Sequence, residues 1–184
     1  VVLLGNAPVN QADARIEGVD EGDARGGYGG IDPTDNCGTL EYVRIEFAGF
    51  EAYQDNELNG LTLGGCGSNT VLRHIQVHRT LDDGIEFFGG TADLRHAVIS
   101  SPGDDGLDWD QGWTGRVQFL VIQQEPTDGD NGFESDNNED GHDLEPISSP
   151  TIYNVTMLGS DNVDIAQRAM TIRRGTGGKL RNFI

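Results

Sequence analysis

Gly84-Ile85-Glu86-Phe87 and Gly106-Leu107-Asp108-Trp109 spell one phrase twice: glycine, apolar, polar, apolar. The phrase recurs upstream as Gly60-Leu61-Thr62-Leu63 and downstream as Gly132-Phe133-Glu134-Ser135, with Ala169-Met170-Thr171-Ile172 a degenerate last copy. A second phrase, apolar at its first, fourth and sixth positions, follows each: Leu72 to Val77, Leu94 to Ile99, Val117 to Ile122, Ile152 to Met157 and the start of a copy at Leu180. Leu40 to Ile45 is an earlier copy of the second phrase. Alternation with period two means strand. Two short strands per repeat of 22 to 26 residues cannot bury a core alone, but stacked copies can. The chain therefore reads as all-β, a right-handed parallel β-helix of about six to seven turns. A β-sandwich also uses short strands and frequent turns, but position-by-position alignment of the copies favours the solenoid. Residues 1–184 form one domain, with loop insertions near 51–59 and 125–149. The chain opens on Val1-Val2-Leu3-Leu4 and stops within the second phrase, which reads as a piece of a longer chain.

The 184 residues carry 12 Lys and Arg against 31 Asp and Glu, a net charge of −19. Such a chain is a poor partner for a polyphosphate backbone, so nucleic-acid binding is excluded. No apolar run approaches the length of a transmembrane helix. The acid is concentrated: between Asp82 and Glu145 lie seventeen acidic residues and two basic ones, Arg95 and Arg116.

Aligning the glycines stacks these acids into columns one coil apart, about 4.8 Å. Asp82, Asp104 and Asp130 form one column; Asp83, Asp105 and Asn131 the next. Glu86, Asp108 and Glu134 form a third on the outward face, and Asp110 and Asp136 a fourth. Like charges at that spacing repel by roughly 0.9 kcal/mol per pair in water and ~3.5 kcal/mol at an effective dielectric of 20. Bound cations, basic partners or raised pKa values are the available remedies. Arg173 or Arg174 can reach the last rung. Calcium suits the rest, because it takes six to eight hard oxygen ligands in flexible geometry. The expected metal ligands are Asp82, Asp83, Glu86, Asp104, Asp105, Asp108, Asp110, Asp130, Glu134 and Asp136. Asp83 and Asp105 also suit turns, with their side chains bonded to their own backbone.

The same patch also reads as the site of a polysaccharide hydrolase or lyase, in which paired carboxylates serve as acid and base. Gly103-Asp104-Asp105-Gly106 resembles the Gly-Asp-Asp element of polygalacturonases. The Gly-His-Gly and Arg-x-Lys elements of that family are missing, the nearest histidine being His142 in Gly141-His142-Asp143. Phe88 and Trp113, beside the acids, are candidates for stacking a sugar ring. His74 and His96 share a column with Tyr42, Phe119, Asn154 and Asn182, which reads as a ladder at a corner. Cys37 and Cys66 precede equivalent strands on neighbouring turns, which predicts a disulfide and an oxidising compartment.

Asn56 to Gly65, Asp82 to Thr91, Gln111-Gly112-Trp113-Thr114-Gly115 and Asn131-Gly132-Phe133-Glu134 together resemble a group of secreted or lipid-anchored bacterial proteins, many from Bacteroidetes and marine bacteria. The resemblance covers nearly the whole chain, although the cysteine pair is not a feature of that group. It implies a parallel β-helix outside the cytoplasm and carries over no catalytic residue. The expectation is an extracellular or cell-surface module with a structural, adhesive or complex-forming role, stabilised by calcium. Its expected partners are a polysaccharide or another surface protein, with assembly among its own copies or into an outer-membrane complex. A carbohydrate-binding module or polysaccharide-active enzyme using the same face is the alternative.

Overall fold

A computed structural model describes residues 1–20, 22–53, 56–162 and 164–184. The first phrase forms six short strands: β1 (Val2–Leu4), β5 (Leu61–Gly64), β7 (Ile85–Phe88), β9 (Leu107–Asp110), β11 (Asn131–Ser135) and β13 (Arg168–Ile172). The second forms six longer ones: β2 (Thr39–Glu46), β6 (Val71–His78), β8 (Asp93–Ser100), β10 (Arg116–Gln123), β12 (Thr151–Leu158) and β14 (Lys179–Phe183). Each set makes one parallel six-stranded sheet, ordered β1-β5-β7-β9-β11-β13 and β2-β6-β8-β10-β12-β14. The chain is thus a right-handed parallel β-helix, with six coils among the described residues. The insertion at 51–59 contributes an antiparallel hairpin of β3 (Phe50–Tyr53) and β4 (Asn56–Leu58), whose residues 54 and 55 lie outside the described ones. The segment 125–149 is not one insertion, because β11 divides it into two loops.

Each coil contributes the same core positions. Leu61, Ile85, Leu107 and Phe133 stack in register, as do Leu63, Phe87 and Trp109, and all are buried. Facing them, Leu72, Leu94, Val117 and Ile152 stack in the second sheet. The recurrent glycine follows from this packing. A Cβ at Gly60, Gly84, Gly106 or Gly132 would strike Val77, Ile99, Ile122 or Met157, respectively.

The long strands all bend at their fourth residue. Tyr42, His74, His96, Phe119, Asn154 and Asn182 all adopt left-handed backbone there, with φ between 55° and 64°. L residues resist this conformation, and stacking offsets the cost. Tyr42 lies 4.6 Å from His74, His74 4.8 Å from His96, and His96 4.8 Å from Phe119, with near-parallel rings. Asn182 Nδ2 donates to Asn154 Oδ1 at 2.6 Å and continues the ladder. These histidines are a structural corner.

Cys37 and Cys66 are joined, with Cα atoms 5.7 Å apart. The bridge ties the segment before β2 to the one after β5. The N-terminal segment crosses the ends of the first sheet. Ala7 N donates to Gly65 O at 2.7 Å, Gly90 N to Pro8 O at 2.9 Å and Asn10 N to Gln111 O at 3.0 Å. Asn10 Nδ2 reaches Asn137 Oδ1 at 2.9 Å, so this strap spans successive coils.

Candidate functional site

The acidic columns form as the alignment requires. Thr62, Glu86, Asp108, Glu134 and Thr171 pair in register across β5, β7, β9, β11 and β13. Side chains here point away from the core, yet Glu86 is only 9% exposed. It accepts a hydrogen bond from Asn59 Nδ2. Nearby, the Tyr28 ring lies 6.2 Å from Phe88 and contacts Gly64 so closely that a Cβ there would meet it. The outward column is therefore partly enclosed, not openly solvated.

The column before the glycines begins one coil earlier than the acids suggest, at Asn59. Asp83 Oδ1 accepts from Asp105 N at 2.9 Å, and Asp105 Oδ1 accepts from Asn131 N at 2.6 Å. These aspartates bond the next coil's backbone, not their own. A side chain that caps the following coil fixes register along the stack.

One carboxylate oxygen from each of Asp83, Glu86 and Asp108 lies within 4.8 Å of the others. Asp82, Asp83 and Asp104 make a second such group. Burial is the main force on these acids, and their mutual repulsion adds to it. Together they hold the carboxyls of Asp83, Glu86 and Asp108 well above the ordinary range. Burial likewise lifts Asp105 to about 7 and Asp110 to about 6, and raises Asp104 and Glu134. Asp108 Oδ1 and Asn59 Oδ1 are buried without a hydrogen-bond partner.

Arginines divide the patch. Arg173 Nε meets Asp136 Oδ1 at 2.8 Å and its Nη2 meets Glu134. Arg174 Nη1 meets Asp136 Oδ2 at 2.8 Å, and Arg168 Nη1 meets Asp130 Oδ1 at 2.8 Å. Three of the ten expected ligands, Asp130, Glu134 and Asp136, are thereby ion-paired on the last rung. Asp110 Oδ1 accepts from Gln111 N at 2.5 Å. The structure brings Asp83, Glu86 and Asp108 together, and among the described residues no arginine pairs with them.

Trp113 does not stand at the surface as the sequence suggests. It is 0% exposed, stacks on Phe87 at 4.1 Å and donates from Nε1 to Ala92 O at 3.1 Å. The glycines beside it make this possible. Gly112 turns the chain with φ +85°, and a Cβ at Gly115 would collide with Ala92 O. Trp113 is core and cannot stack a ligand, while Phe88 remains half-buried against Tyr28. Tyr28, whose hydroxyl donates to Gln111 Oε1 at 2.8 Å, and Asn59 are neighbours of the site that sequence reasoning passed over. Asn59 was findable, since Asn59-Gly60 repeats Asp83-Gly84 in position.

Fold and site together define a parallel β-helix carrying a partly buried acidic ladder on one sheet. The chain belongs to the pectate-lyase-like β-helix domain family, which it matches over residues 1–184. No curated protein and no solved structure is significantly similar to it.

Proposed function

We propose that this chain is an extracellular β-helix module, structural or adhesive in role, whose first sheet takes calcium between Asp83, Glu86 and Asp108. The convergence of these three carboxylates within 4.8 Å carries the reading. All the donors are hard oxygens, as calcium prefers. Asp108 Oδ1 is a buried acceptor without a partner, which a cation would satisfy. Bound there, the ion would supply the positive charge that the arginines supply one rung on. The disulfide supports an oxidising, extracellular setting. No helix among the described residues is long and apolar enough to cross a membrane.

Thermal melts with excess calcium and with EDTA test this reading. An ion at a hundredfold excess over its Kd stabilises by about 2.7 kcal/mol. For a chain of this length that is a rise of about 5–10 °C in Tm. An unchanged Tm removes calcium from the account. A second reading, a polysaccharide-active enzyme, is favoured by the family and by Asp110, whose carboxyl is lifted to about 6 beside Phe88. Incubation with a polysaccharide panel, with and without chelator, separates the two. The structural module leaves every polymer uncut.

A further inference from the structure

The second sheet has an outward face of opposite character. Along one column run Glu41, Arg73, Arg95, Gln118, Tyr153 and Arg181. The adjoining column adds Asp93, Arg116, Thr151 and Lys179. Five of the chain's 12 basic side chains thus stand on this face with two acids, within a protein of net charge −19.

The two acids are already engaged. Glu41 pairs with Arg73 at 3.0 Å, and Asp93 receives a fork from Arg116, with Nε at 2.9 Å and Nη2 at 2.5 Å. Among the described residues, Arg95, Lys179 and Arg181 form no ion pair. Two of these cations rest on rings: Arg95 lies 6.0 Å from the centroid of Phe119 and Arg181 5.7 Å from that of Tyr153. A guanidinium held over a ring keeps its N–H fork free at the edge. Between the two lies a groove of about 210 Å³ lined by Asp93, Arg95, Arg116, Gln118, Thr151 and Tyr153, with the Asp93 carboxylate held by Arg116.

We propose that this face binds a sulfated polysaccharide lying along the solenoid axis. Arg95 and Arg181 stand three coils apart, about 14 Å, so the cations mark a line suited to a linear polyanion. Gln118, Thr151 and the Tyr153 hydroxyl offer hydrogen bonds to sugar hydroxyls between them. An acidic peptide fits less well. The backbone of this sheet is already paired strand to strand, so a peptide's amides would find no ladder to join. Sulfate is favoured over carboxylate because the guanidinium is weakly hydrated, and weakly hydrated ions pair best with one another. The acids of the first sheet lie across the body of the helix. Sheet-to-sheet spacing is ~10 Å and the outward side chains of the two sheets point in opposite directions, so a polymer on this face lies farther than that from the acids.

Calorimetric titration of the chain with dextran sulfate, polygalacturonate, poly-glutamate and neutral dextran tests this. EDTA throughout prevents calcium from bridging a polymer to the first sheet. Dextran sulfate should bind most tightly, with affinity falling as salt rises. The Arg95→Ala/Arg181→Ala double variant should bind it about tenfold more weakly or worse, since each charged hydrogen bond is substantial. Arg25→Ala, removing an exposed arginine elsewhere in the chain, should bind as the parent does. Calcium melts of the double variant report separately on the first sheet, so the two proposals succeed or fail independently. Unchanged dextran sulfate affinity in the double variant overturns the proposal. So does binding of polygalacturonate or poly-glutamate that equals it.

Discussion

Asp108 sits where three influences meet. Its rung neighbours Glu86 and Glu134 are carboxylates, its Oδ1 has no partner, and burial disfavours its charge. Glu134 is relieved by Arg173, whereas Asp108 forms no ion pair among the described residues. Replacing it with Asn removes the charge and keeps the shape. In EDTA at neutral pH, Asp108→Asn should stabilise the protein by about 1–3 kcal/mol, because the folded parent must either hold a proton on this carboxyl or bear its repulsion, while the unfolded chain ionises it freely. In calcium the same variant should lose the rise in Tm shown by the parent. Paired melts in the two buffers check both signs. A variant less stable than its parent in EDTA would show that the carboxylate is structurally needed without a metal.

Among the elements, the coil is the unit that the sequence states most clearly. Leu61, Ile85, Leu107 and Phe133 recur because every coil fills the same slice of core, and the glycine before each recurs because a Cβ would collide with the facing strand. The acidic columns were legible for the same reason: register follows from the repeat. The N-terminal strap was not, since Asn10 reaches Asn137 across 127 residues by contacts that leave no period. Trp113 was misplaced because flanking glycines resemble a loop, whereas here they make room for an inward indole. The cysteine pair was legible from equivalent positions in successive coils. Its bridge closes a loop of 29 residues. By chain entropy it contributes about 3–4 kcal/mol, and it anchors the early coils. The Cys37→Ser/Cys66→Ser variant should lose that amount in urea unfolding. A loss under 1 kcal/mol would mean that the strap alone holds these coils together.

For the whole molecule, charge is partitioned. Acids under a burial penalty line the first sheet, with arginines on its last rung, and five basic side chains stand on the outward face of the second. The penalty gives the fold an unusual dependence on pH. Unfolded carboxyls titrate near pH 4, while in the folded chain burial lifts Asp110 to about 6 and Asp105 to about 7, with Asp83, Glu86 and Asp108 raised well above the ordinary range. Between pH ~4 and ~7 the folded state therefore holds more protons than the unfolded one, and stability falls as pH rises through that window. Below it both states are protonated and these groups contribute no slope. Calcium reverses the sign, because a cation competes with those protons and binds best when the carboxyls are ionised. Melts from pH 4.5 to 8 should thus descend in EDTA and flatten or climb in excess calcium, so that the gap between the curves widens with pH. A Tm that rises with pH in EDTA would mean the ladder is relieved by the protein's own groups. Parallel curves in the two buffers would mean that no ion enters it.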